Sequence, residues 1–234
     1  SRAIYLYKGI LNTNITNNNI TANGNANYGI YASSMNNSVI NSNIINVSGT
    51  NSYGVGLAYY SDNNNFTNNN ITATSSGGVG FYLLTYADSN VLTNNSLDTA
   101  SYSLLISSGA SNQIYNNKFN STSKNMVSII KASNYVNRLN TTKTDLSPQK
   151  NIIGGNYLAG NYWANSLGTG FSQKCKDNDL DGICDSAYTI NTFNVDYLPL
   201  TASDNTAPKV SLFSPENETF VNGVSNGRGQ GIAG

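Results

Sequence analysis

The segment richest in chemistry is Cys175-Lys176-Asp177-Asn178-Asp179-Leu180-Asp181-Gly182-Ile183-Cys184-Asp185. Carboxylates at alternate positions can wrap oxygens around a hard cation. Gly182 then permits a sharp turn, Ile183 offers a backbone carbonyl, and Asp185 adds a further oxygen. The set Asp177, Asp179, Asp181, Ile183 and Asp185 follows the first half of a calcium loop. It departs at the twelfth position, where Tyr188 stands in place of a bidentate glutamate. Either Asp196 folds in to complete the shell, or the site is incomplete and weak. Extracellular sites of this kind bind at roughly 0.1–1 mM. The competing reading is an acidic surface turn without metal. Cys175 and Cys184 bracket the loop, and with only 2 cysteines and no histidine in the chain zinc has no support. A local disulfide would close the loop and pre-organise its carboxylates, contributing about 2–3 kcal/mol. Two free thiols are the alternative.

Other catalytic constellations are sparse. The absence of histidine excludes histidine-based triads and a histidine general base. Glycoside hydrolysis needs two carboxylates about 5–9.5 Å apart. Asp62, Asp88 and Asp98 are the acids of the repeat region, and only Asp62 and Asp88 share a turn column on neighbouring units. Turn formation explains that pair equally. Lys118, Lys131 and Arg138 lie further on, without a matching acidic cluster. Gly77-Gly78-Val79-Gly80 opens a repeat and is no nucleotide loop. The balance is against an enzyme, although the question stays open at this level.

The elements that would position these groups come from a repeat. A polar pair followed by an apolar residue recurs at Asn18-Asn19-Ile20, Ser42-Asn43-Ile44, Asn69-Asn70-Ile71, Asn95-Ser96-Leu97, Asn117-Lys118-Phe119 and Asn137-Arg138-Leu139. The apolar members are 24, 27, 26, 22 and 20 residues apart. About five residues earlier stand Ile15, Val39, Phe66, Leu92 and Ile114. A third apolar patch opens most units, as in Ile4-Tyr5-Leu6, Gly29-Ile30-Tyr31 and Val79-Gly80-Phe81. Each unit therefore holds three short strands joined by polar turns. A strand of three or four residues cannot bury its own apolar face. Stacking solves this, because like strands pair in parallel ~4.8 Å apart and their inward side chains form one core. The expected fold is all-β: a right-handed parallel β-helix of about six to seven coils, with an acidic-loop C-terminal cap and a short β tail. Asparagine tolerates left-handed turns and can hydrogen-bond along the stack as a ladder. Asn90, Asn112 and Asn134, each preceded by Ser, are the ladder expected from spacing.

Charge is balanced, with 12 basic and 12 acidic residues, so nothing marks a nucleic-acid partner or an anionic membrane. No apolar run approaches the ~18 residues of a membrane span, and no signal peptide is present. The chain begins abruptly at Ser1 and reads as a mature or excised piece of something longer. Sequons occur at Asn14, Asn19, Asn36, Asn46, Asn65, Asn70, Asn94, Asn120, Asn140 and Asn217. With the cysteine pair they favour an extracellular, glycosylated protein.

After Asn151 the pattern changes. Gly160-Asn161-Tyr162-Trp163 holds the only Trp, the acidic loop follows, and Val195-Asp196-Tyr197-Leu198-Pro199-Leu200 closes the segment. The coils followed by this ordered trio resemble the NosD-like parallel β-helix proteins, within the wider group of carbohydrate-binding proteins and sugar hydrolases frequent on archaeal surfaces. The resemblance covers roughly residues 3 to 200. It implies a fold and an extracytoplasmic setting, and carries over no single activity.

The organisation expected is coils over 1–150, a cap over 151–200, and over 201–234 a linker with the start of an immunoglobulin-like module or a donated strand. Trp163, Tyr162 and Tyr157 read as packing over the end of the core. The expected function is a structural subunit of a cell-surface layer, sheath or filament, with an adhesive role, self-associating or meeting other surface proteins. The alternative is a carbohydrate-binding or polysaccharide-cleaving module with a groove lined by Tyr59, Tyr60, Tyr82 and Tyr86.

Overall fold

A computed structural model describes residues 1–130 and 135–202. Five complete turns each supply a strand to three parallel sheets. They are β1 (Arg2–Leu11), β2 (Asn14–Thr16) and β3 (Asn19–Asn23); β4 (Tyr28–Asn36), β5 (Val39–Asn41) and β6 (Ile44–Ser48); and β7 (Tyr53–Ala58), β8 (Asn65–Thr67) and β9 (Asn70–Ala73). Next come β10 (Val79–Leu83), β11 (Val91–Thr93) and β12 (Ser96–Thr99), then β13 (Leu104–Ile106), β14 (Gln113–Tyr115) and β15 (Lys118–Ser121). A sixth turn has β16 (Val127–Ile129) in the first sheet, a lone bridge from Gln113 to Arg138 in the second, and a strand at Tyr162–Asn165 in the third. Before that strand the chain makes an excursion holding the antiparallel pair β17 (Thr144–Asp145) and β18 (Tyr157–Leu158). The strand itself is β19; α1 (Phe171–Lys174) and the hairpin β20 (Tyr188–Asn191) and β21 (Asn194–Asp196) follow it. The parallel β-helix expected from the repeat is thus the fold observed.

Inward residues stack in register. One column runs Ile15, Ile40, Phe66, Leu92, Ile114 and another Ile20, Ile45, Ile71, Leu97, Phe119, Trp163. Most of these side chains are fully buried and belong to one continuous core. Two expected members shift by one residue. Val39 and Ile44 face outward, and Ile40 and Ile45 take the inward places. A strand's period of two moves a side chain to the other face for every one-residue slip, and adjacent apolar residues in this turn hid the slip.

The corners explain the asparagine content. Asn12, Asn37, Asn63, Ser89 and Ser111 lie at one corner, and Asn17, Ser42, Asn68, Asn94 and Asn116 at the next, all with φ between 52° and 59°. Asn is the non-glycine residue most tolerant of this left-handed conformation. From the second turn on, the residue that follows is buried in the stack, so the doublets there are a turn residue plus a stacking residue. The box Asn137-Arg138-Leu139 belongs to the first of these corners, in register with Asn112-Gln113-Ile114. The unit in register with Asn117-Lys118-Phe119 is Asn161-Tyr162-Trp163, delayed by the excursion. A regular interval could not reveal that insertion.

Candidate functional site

Two ladders of side-chain amides, buried at every rung but Asn18, run along the stack. The first passes from Asn64 through Asn90 and Asn112 to Asn137 and Asn194. Spacing had placed Asn134 in this ladder; Asn134 lies outside the described residues, and its rung is held by Asn137, whose Oδ1 accepts Asn112 Nδ2 at 2.8 Å. The second runs Asn18, Asn43, Asn69, Asn95, Asn117, Asn161. In the middle of a ladder each Oδ1 accepts both the backbone N–H and the Nδ2–H of the rung before it. Asn95 shows the pattern: its Oδ1 accepts from Asn69 N and Nδ2 at 2.9 Å each, and its Nδ2 donates to Phe66 O and Asn117 Oδ1 at 2.9 Å each. The ladders thus have a direction, and their last rung needs an acceptor.

The first ladder ends at Asn194, whose Nδ2 donates to Tyr135 O at 3.2 Å and Asn191 Oδ1 at 3.0 Å; for the second, Asp196 is that acceptor. It is 0% exposed. Its Oδ2 accepts from Asn161 N at 2.8 Å and Trp163 Nε1 at 2.8 Å, and its Oδ1 from Leu198 N at 3.1 Å. A carboxylate, which when ionised only accepts, suits a position surrounded by donors. Burial pushes its pKa up to about 7, while the N–H groups of Asn161, Trp163 and Leu198 pull the other way. Gly160 is required beside it, because a Cβ there would stand 2.0 Å from Asp196 Oδ1. Gly160-Asn161-Tyr162-Trp163 and the closing Asp196 motif are therefore two halves of one device. Trp163 is fully buried and stacks on Phe119, centroids 4.8 Å apart, with Tyr188 over its other side at 5.0 Å. Above β19, Ser172 Oγ accepts Trp163 N at 2.8 Å and Gln173 Oε1 accepts Asn165 N at 3.0 Å, which closes that sheet edge.

The acidic loop sits beside this cap. Carboxylate oxygens of Asp177, Asp179 and Asp185 lie within 4.8 Å of one another, forming a group that can hold a metal ion. Asp177 is buried and accepts from Asp181 N at 3.1 Å and Gly182 N at 2.9 Å. Gly182 has φ +83°, the turn expected of it. Asp181 is drawn away: it pairs with Lys143 and accepts Ile183 N at 2.8 Å. Asp196, the optional closing ligand, is committed to the ladder instead. Cys175 and Cys184 form a disulfide, Cα atoms 5.6 Å apart.

The remaining candidates have structural partners. Asp62 Oδ1 accepts Asp88 N at 2.8 Å, and Asp88 Oδ1 accepts Ala110 N at 2.7 Å, so both carboxylates bond turn amides on the next coil. Burial raises the Asp62 carboxyl above its usual range. Tyr59, Tyr60 and Tyr86 are exposed, and Tyr60 and Tyr86 stack at 5.2 Å. Tyr82 is half-buried and joins a strip over the first sheet with Tyr53 and Tyr28, centroids 5.4 and 4.6 Å apart. Asn14, Asn19, Asn65 and Asn70 are exposed, and Asn36, Asn46, Asn94, Asn120 and Asn140 partly so; Asn217 lies outside the described residues.

This fold and this cap define a parallel β-helix protein with a disulfide suited to a non-reducing compartment. A family model described as "Periplasmic copper-binding protein (NosD)" matches residues 46–168, more than half of the 234 residues. The chain belongs to this family. No curated protein and no solved structure matches it. The family and the disulfide together put the chain outside the cytoplasm. Among the described residues no helix is long and apolar enough to cross a membrane.

Copper in the family's description does not fit this chain's donors. Cu(I) favours thiolates and thioethers, and imidazole suits copper more broadly. The sequence has no histidine, its 2 cysteines are joined, and Met35 and Met126 are buried at 0% and 3% exposure, Met35 deep within the core. The clustered carboxylates suit a hard cation instead.

Proposed function

We propose that this chain is an extracellular structural β-helix, a glycosylated subunit of a cell-surface layer, sheath or filament. The observation that carries the reading is where its polar chemistry is directed. The buried amides bond along the stack, Asp62 and Asp88 bond its turns, and Asp196 closes it. Such a rod gains stiffness and a fixed length from the groups an enzyme would use for catalysis. Sequon asparagines on the outer faces, Asn14 and Asn65 in one column and Asn19 and Asn70 in another, are the preferred glycan acceptors. Electron microscopy of native surface material tests the reading. Ordered fibres or lattices containing the chain are expected, and isolated monomers contradict it.

The acidic loop is proposed to bind calcium as a clamp on the cap, through Asp177, Asp179 and Asp185, with Asp181 and the Ile183 carbonyl joining on loading. Binding to the native state alone stabilises by about 1.4 kcal/mol at ten times Kd. Millimolar calcium is expected to raise the melting temperature by several degrees, and Asp179→Asn to remove the rise. Equal melting in calcium and in chelator contradicts the site. Carbohydrate binding is the second reading, favoured by the exposed Tyr59, Tyr60 and Tyr86. Retardation of the chain in gels containing a surface polysaccharide, lost on Tyr60→Ala, would support it; unchanged mobility across such polysaccharides would count against it.

A further inference from the structure

The corner between the first and second sheets changes character in the third and fourth turns. The turns on either side carry serine there, Ser34 before and Ser108 after. The third and fourth carry Tyr59-Tyr60 and Tyr86. These tyrosines have φ of 49°, 61° and 50°, and they are the aromatic residues in the left-handed region among the described residues. A bulky side chain is an outlier in that conformation, and backbone held there against its preference clusters at functional sites. Bonds to the next turn hold it: Tyr60 N donates to Thr85 O and Tyr86 N to Ser108 Oγ, each at 3.3 Å. The side chains stand clear of the core, with Tyr60 60% and Tyr86 44% exposed. Their rings stack with centroids 5.2 Å apart and planes 12° from parallel. Core packing therefore does not account for the pair. Adjacent phenols open to solvent are the substrate of oxidative coupling.

We propose that Tyr60 and Tyr86 are a modification site, joined by oxidation into a dityrosine that staples the third turn to the fourth. The oxidant is a peroxide, used by a one-electron peroxidase. It takes one electron and one proton from each phenol and leaves as two waters. The two phenoxyl radicals join through the ring carbons ortho to oxygen. Those carbons then pass their hydrogens to the oxygens as protons, and both rings regain aromaticity. Exposed side chains turn about their χ angles quickly, which lets the stacked rings meet edge to edge. The half-buried stack of Tyr28 on Tyr53, centroids 4.6 Å apart, is the contrast. Burial pushes the Tyr28 phenol up to about 12 and raises that of Tyr53 as well, which holds their protons in place. Tyr31 and Tyr82 also hem those two rings, at 5.0 and 5.4 Å. The site needs only the non-reducing setting that the family and the disulfide give, and neither surface assembly nor carbohydrate binding.

Treating the full chain with a peroxidase and hydrogen peroxide tests it, with dityrosine fluorescence and peptide mapping as readouts. Rings side by side on one chain meet at an effective concentration in the millimolar range or above, so at about 1 μM protein coupling within the chain outruns coupling between chains roughly 1000-fold. The expected result is a monomer whose fluorescence rises at a rate unchanged by dilution, with Tyr60 and Tyr86 in one cross-linked peptide. Tyr86→Phe keeps a ring in the stack but loses the phenol, and is expected to abolish that link, while Tyr53→Phe leaves it. Undiminished dityrosine in Tyr86→Phe, equal loss in Tyr53→Phe, a link that maps to other tyrosines, coupling only between chains, or no dityrosine at all overturns the proposal.

Discussion

Asp196→Ala lowers the unfolding free energy by about 3–5 kcal/mol, because three buried donors lose their acceptor at ~1–3 kcal/mol each. Those donors are Asn161 N, Trp163 Nε1 and Leu198 N. Urea denaturation at pH 8 measures the loss, and a change under ~1 kcal/mol would remove Asp196 from its role as ladder terminus. The same residue sets a pH dependence. Its folded pKa, about 7, lies above the ordinary aspartate value of 3.8. Between these values the native state holds a proton that the unfolded state has released. Asp196's contribution to stability is therefore full below about pH 4 and falls as pH rises to about 7, by ~1.4 kcal/mol per unit. Asp196→Asn cannot titrate, so wild type loses stability relative to this variant as pH rises through that window, and the difference is flat above it. A difference that stays constant from pH 4 to pH 7 contradicts the burial of an ionisable carboxyl at the cap.

Asn95→Leu costs about 3–5 kcal/mol, although the two side chains are alike in size. It leaves Asn69 N, Asn69 Nδ2 and the Phe66 carbonyl without their partner inside a dry stack. Asn70→Leu is the control. Asn70 belongs to an identical-looking doublet, but its side chain is exposed, and such substitutions usually change stability by under ~0.5 kcal/mol. Equal effects of the two substitutions in thermal denaturation would mean that the ladder contributes no more than any surface asparagine.

The contrast between Asn69 and Asn70 also marks what the sequence could and could not convey. The recurring box, the three strands per turn and the cap over the core were legible, because apolar residues at strand positions cannot be placed otherwise. Asn90 and Asn112 were legible as a ladder. The larger ladder from Asn18 to Asn161 was visible only as part of a box, since turn and stacking asparagines look alike in one dimension. A constant interval points to Asn134, whereas the turn lengthens and Asn137 takes the rung. The excursion before Asn161 broke the count again. In the sequence Asp196 stands in the closing motif and as a further oxygen for the acidic loop, with nothing to show that it ends a ladder. A sequence signal for its real role did exist: an Asn-x-Asp spacing, Asn194-Val195-Asp196, after a glycine that precedes the last ladder residue. Its meaning depends on knowing that a directional ladder must end on an acceptor. In the acidic loop, the carboxylates of Asp177, Asp179 and Asp185 lie together, whereas the draw of Lys143 on Asp181 comes from a residue 38 positions away.

Amides that are buried, bonded at both ends and shared between turns hold this stack together. Exchange of the Asn side-chain Nδ2 hydrogens, measured by NMR on the native chain, tests that most directly. The prediction is that Asn69, Asn95, Asn117 and Asn161 exchange only through opening of the stack, orders of magnitude slower than the exposed Asn70. Exchange of those four at the rate of Asn70 would contradict the ladder and, with it, the cap that Asp196 supplies.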